Sequence, residues 1–255
     1  LSQFLSPDIN QRTDAWGGTL ENRARIHLEI IKKCRKEVGS DFAISIKMNS
    51  ADFQKGGFSP EDSIQVAKLL SDSGIDNIEI SGGTYEQPRL LGLDKVSINP
   101  KRSENRKEST IAREAYFLSY AEEIAKVVNI PLMVTGGFRT KEGMEAALAD
   151  GSCEIVGVGR PLCANPYAIK ELLAGQIDEL PKYEKTLSIG PWWLSPTSPF
   201  RLIQAINAFS AQAWFYQQIK KMGIGLMPDL SLKPWKAFRE DAKADQEAIK
   251  EYQNF

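Results

Sequence analysis

Pro131-Leu132-Met133-Val134-Thr135-Gly136-Gly137-Phe138 is a short apolar run that ends in two glycines. After one helix-length segment, Glu154-Ile155-Val156-Gly157-Val158-Gly159-Arg160-Pro161 repeats that pattern. An apolar run of this length, continuous rather than alternating and bounded by turn residues, reads as a strand buried in a parallel sheet. Working outward, Phe42-Ala43-Ile44-Ser45-Ile46-Lys47-Met48 and Asn77-Ile78-Glu79-Ile80 read the same way. Helical patterns separate the runs. Thr140 to Asp150 predicts a short helix closed by Gly151, and Ser59-Pro60-Glu61-Asp62 places a hydroxyl, a proline and an acid where a helix starts. From that start Val66, Ala67, Leu69 and Leu70 share a face, and Gly74 ends the helix.

Further out, Thr19 caps a helix expected from Leu20 to Val38, with Gly39 as its stop. A polar segment from Gly83 to Thr110 has the length of a functional or disordered loop, and a helix from Arg113 to Val128 follows it. Strands that alternate with helices predict a parallel α/β sheet with right-handed crossovers. The four runs are half of the eight strands of a TIM barrel. The fold class expected is therefore the C-terminal half of a parallel (β/α) barrel, residues 1–170, with a helical, aromatic-rich extension over 171–255. An open doubly wound sheet is the alternative. In the extension, Ser198-Pro199 predicts a helix start, and Phe200, Phe209, Trp214, Phe215 and Tyr216 fall at packing positions. Lys236 to Phe255 predicts a solvated helix.

Composition narrows the function. With 32 basic and 33 acidic residues, the net charge of -1 gives no electrostatic reason to bind nucleic acid or an anionic membrane. No apolar stretch reaches the roughly 18 residues of a membrane span. Three widely spaced cysteines, Cys34, Cys153 and Cys163, read as reduced thiols of a cytoplasmic protein. One histidine, His27, argues against a multi-histidine metal site. The chain opens with Leu1, and the expectation is that it starts within a longer reading frame.

Three features point to chemistry. Gly136-Gly137 and Gly159-Arg160 follow neighbouring strands, where barrel loops commonly hold a phosphate on backbone N–H groups. Arg160 adds a charge-assisted contact. The alternative is that these glycines only permit tight turns. Lys47 lies at the C-terminal end of its strand, where an ammonium inside an apolar run needs a partner or a ligand; snorkelling to solvent beside Asp52 is the other reading. Ser81-Gly82-Gly83 ends another strand and could bring backbone near a ligand, and Glu79 reads as half of an ion pair.

The stretch Gln3-Phe4-Leu5-Ser6-Pro7, Asn10-Gln11-Arg12-Thr13-Asp14 and Trp16-Gly17-Gly18-Thr19-Leu20-Glu21-Asn22-Arg23 resembles the segment after the fourth barrel strand of Old Yellow Enzyme-like flavin oxidoreductases. The likeness covers residues 1–170. It implies an FMN cofactor, NAD(P)H as reductant and an electron-poor alkene or similar small molecule as acceptor. It also implies that Lys47 stands beside the flavin pyrimidine ring, where the family commonly has arginine, and that Thr135-Gly136-Gly137 and Gly159-Arg160 lie on the FMN phosphate. Ser81 and Gly82 complete the expected cofactor-binding set. The family's His-x-x-His or His-x-x-Asn pair and its proton-donating tyrosine would lie upstream of Leu1, so no catalytic residue is assigned. His27, on the helix after the motif, does not replace them.

Two other functions stay open on sequence alone. One is a phosphate-binding barrel lyase or synthase using Lys47 as a Schiff-base amine. The other is an incomplete half-barrel that turns nothing over, and self-associates or packs against a complementary half.

Overall fold

The structure, a computed structural model, describes residues 1–52, 56–82 and 117–253. These divide at Val158–Gly159 into two compact units. The loop expected over 83–110 and the first residues of the helix expected from Arg113 lie outside the described residues.

The first unit holds a parallel sheet of β1 (Ser45–Asn49), β2 (Asn77–Ser81), β3 (Leu132–Thr135) and β4 (Ile155–Gly157), in that order. Its helices are α1 (Ser2–Leu5), α2 (Leu20–Val38), α3 (Pro60–Asp72), α4 (Leu118–Ala125) and α5 (Lys141–Ala149). The helix starts expected at Thr19, Ser59 and Thr140 each form through a side-chain cap. Thr19 accepts from the Asn22 N–H, Ser59 from Asp62 and Thr140 from Gly143. The α2 stop falls at Gly39, with φ 76°.

The strands correct one expectation. Their residues are not buried on both faces; burial alternates along β1, β2 and β3. Met48, Ile78, Ile80, Leu132 and Val134 are buried, as are Val66, Ala67 and Leu70 of α3 and Ala121 and Ile124 of α4. Each larger apolar side chain enclosed there contributes about 1.5–3 kcal/mol. Ser45, Lys47, Asn77, Glu79, Met133 and Ile155 occupy the opposite positions and are more exposed. A second correction concerns the first strand, which begins at Ser45; Phe42 precedes it and is exposed. Asp76 sets that boundary, because its carboxylate accepts from the Ile44 N–H and from Arg35.

The second unit contains α6 (Arg160–Ala164), α7 (Ala168–Leu173), α8 (Arg201–Gly223) and α9 (Pro234–Gln253). Its core gathers Ala164, Leu187, Ala213, Trp214, Phe215 and Ala237. Trp214 stacks edge-on with Phe215 and donates its indole N–H to the Leu232 carbonyl at 2.9 Å. Phe200, Phe209 and Tyr216 are exposed. The α8 start is later than Ser198-Pro199 suggests. Ser198 Oγ accepts from the Phe200 N–H, and regular helix begins at Arg201.

Candidate functional site

The motif that opens the chain is an architectural knot. Asn10 donates from its side chain to the Phe4 and Trp16 carbonyls, both at 2.8 Å. Arg12 pairs with Asp14, whose carboxylate also accepts from the Trp16 N–H. A Cβ on Gly17 would lie 2.3 Å from the Arg12 carbonyl oxygen, so only glycine lets the chain fold back there. Arg23 is buried, donates to the Leu5 carbonyl and meets Asp62 of α3 at 3.0 Å. Arg23 thus ties α2 to α1 and to α3.

At the C-terminal ends of β1 and β2, the Ser50 N–H donates to the Ser81 carbonyl at 2.7 Å. Ser81 is buried, and Gly82 follows it, also buried. Asp52 closes the turn after β1: its N–H donates to the Phe58 carbonyl, and its carboxylate accepts from the Phe58 N–H. Lys47 is a direct cross-strand partner of Glu79, and its ammonium lies 2.5 Å from the carboxylate. The sequence anticipated an ion pair for Glu79 but did not name its cation. Snorkelling beside Asp52 is replaced by this contact. An ion-paired ammonium is also the wrong form for attack on a carbonyl, which weighs against the Schiff-base reading.

Past β3, Gly136 and Gly137 have φ 131° and 93°, backbone that side-chain-bearing residues rarely adopt. The pair turns the chain sharply between strand and helix, and α5 begins just beyond at its Thr140 cap. Arg139, buried beside this turn, donates to the Phe138 carbonyl at 2.7 Å. Sequence reading passed over Arg139 and Gly157. Gly157 is the register partner of Thr135, and a Cβ on it would lie 1.8 Å from Thr135 Oγ1. Gly159 and Arg160 open α6 in the second unit, Gly159 exposed and Arg160 half-buried.

Burial of His27 lowers its imidazole below the ordinary range, and burial raises the Cys153 thiol. All three cysteines are free. Among the described residues, no group of acids, cysteines and histidine could hold a metal ion. No helix there is long and apolar enough to cross a membrane.

Four parallel strands alternating with helices, with glycine turns at the C-terminal side of the sheet, are part of a (β/α) barrel. Residues 1–179 match the NADH:flavin oxidoreductase / NADH oxidase family, and the chain belongs to it. It is 34% identical over 226 residues to the NADH-dependent flavin oxidoreductase iccE of Talaromyces variabilis, covering 87% of this chain and 52% of that protein. It is also 34% identical to an NADH oxidase of Thermoanaerobacter brockii, covering 87% of this chain and 32% of the relative. Among solved structures, a 2-naphthoyl-CoA reductase is 32% identical, with a TM-score of 0.58 over 70% of this chain and 25% of its own. The chain therefore spans between about a third and about half the length of the two curated relatives.

Proposed function

We propose that the protein to which this chain belongs is an FMN-dependent NAD(P)H oxidoreductase acting on an electron-poor small molecule. When bound, such a cofactor would supply hydride transfer between NAD(P)H and the acceptor. The residues present fit such a cofactor. Backbone at Gly136-Gly137 takes a conformation that a Cβ would oppose, and its N–H groups precede the positive end of the α5 dipole. Those two glycines are the groups assigned to the phosphate. Ser81 and Gly82 are assigned to backbone contacts at the end of β2. Lys47 is assigned to the pyrimidine side, where an ammonium favours negative charge. The general acid is not assigned to any residue of this chain.

Family membership over residues 1–179 is the observation that carries this reading. The test is titration of FMN into the purified protein, followed by fluorescence, and anaerobic addition of NADH and then NADPH, followed by flavin absorbance. Saturable binding and reductant-dependent bleaching are the expected result. A protein that neither retains FMN nor supports bleaching would refute the reading. Size-exclusion chromatography with light scattering tests a further proposal about the chain alone. β1 and β4 each have one strand neighbour among the described residues, and strand edges of that kind invite self-association.

A further inference from the structure

The ion pair between β1 and β2 has a consequence for the electrostatics of the site. Lys47 and Glu79 face each other in register, in the row that also holds Met133 of β3. The carboxylate is the more enclosed member, its side chain 19% exposed against 54% for the lysine. The adjacent row toward the start of the strands is neutral: Ser45 donates to Asn77 at 2.7 Å, and Asn77 donates to the Pro131 carbonyl at 3.0 Å. Met133 offers Glu79 no donor, so among the described residues its ion pair is the one with Lys47. Toward the strand ends, the next positions are Asn49 and Ser81, which carry no charge. The Glu79 carboxylate and the Lys47 ammonium therefore act together on whatever binds beyond those ends.

We propose that Glu79 is a positioning residue that holds the Lys47 ammonium and sets how much of its charge reaches the bound cofactor. This rests on the flavin reading above. Lys47 favours negative charge on a ligand that gains electrons, and Glu79 opposes it. The pair adjusts the affinity for reduced over oxidised FMN in a way that neither residue would alone.

Glu79→Gln keeps the shape and one acceptor while removing the charge. The first measurement needs no cofactor: acetylation of Lys47 by an N-hydroxysuccinimide ester, quantified by peptide mass spectrometry. Release of the ammonium should speed labelling about threefold, the scale of a partly exposed ion pair. The second is the ratio of affinities for reduced and oxidised FMN. It should rise about tenfold in Glu79→Gln, an upward shift of about 30 mV for a two-electron couple. Glu79→Asp, which keeps the charge, should stay near wild type in that ratio. Unchanged labelling and an unchanged ratio in Glu79→Gln would overturn the proposal, as would Glu79→Asp shifting the ratio as far as Glu79→Gln. If wild type itself binds no FMN, the cofactor assignment fails, and labelling alone decides whether Glu79 holds Lys47.

Discussion

Replacing Gly157 by alanine should destabilise the sheet by an amount the geometry sets. A Cβ there would lie 1.8 Å from Thr135 Oγ1, 2.7 Å from Met133 Cε and 2.8 Å from Thr135 Cβ. The Met133 methyl ends a flexible chain and can swing away. Thr135 cannot, because it is the register partner of Gly157, and its Cβ is fixed to the β3 backbone. The strands must separate by roughly 1 Å, and overpacking of this kind costs about 1–3 kcal/mol. Contacts this short to a fixed residue put the cost in the upper part of that range, about 2–2.5 kcal/mol, and restricting the unfolded chain returns about 0.4–1 kcal/mol, which leaves a net loss of about 1–2 kcal/mol. At about 2–4 °C per kcal/mol for a domain of this size, the melting temperature should fall by roughly 2–8 °C. Thermal unfolding followed by circular dichroism measures it. Thr135→Ala is the control. It deletes an oxygen that has no hydrogen-bond partner in the structure and removes the shortest contact, but leaves Cβ in place. The double mutant should therefore recover part of the loss, with a coupling of at least about 0.5 kcal/mol. A neutral Gly157→Ala, or strictly additive effects of the two changes, would refute the reasoning.

Gly137→Val puts a β-branched residue at φ 93° and should weaken FMN binding about tenfold, or about 1.4 kcal/mol; an unchanged titration by flavin fluorescence would remove the glycine turn from the cofactor site. Lys47→Ala should lower the flavin reduction potential while Lys47→Arg should not, since only the first deletes the cation; equal potentials in all three proteins would make Lys47 structural. His27 predicts a pH effect. Its pKa is lowered by burial in the folded state, so the unfolded chain binds the proton more tightly. Stability should be full above about pH 6.5 and fall as pH drops below it. Urea unfolding at pH 8 and at pH 5.5 measures this slope, and His27→Leu should flatten it; an equal slope in the mutant assigns the effect elsewhere.

The sequence by itself determined the features whose causes are local. Thr19, Ser59 and Thr140 mark their helix starts because a cap reaches only the next turn, and Gly39 marks a stop for the same reason. The order of strands follows from their alternation with helices. The run from Gln3 to Arg23 sufficed for the family because its residues are bound to one another: Asn10 to Phe4 and Trp16, Arg12 to Asp14. Tertiary structure decided whatever depends on partners distant along the chain. Lys47 finds Glu79 from 32 positions away, and Arg23 finds Asp62 from 39. Gly157 is required only because register sets Thr135 opposite it. The apolar runs looked buried on both faces, yet among the described residues burial alternates, and the more exposed face carries Ser45, Lys47, Asn77 and Glu79. Composition can show that a strand is apolar on average. Which face is covered, and which cation meets which acid, is fixed only when the crossovers bring separate strands into one register.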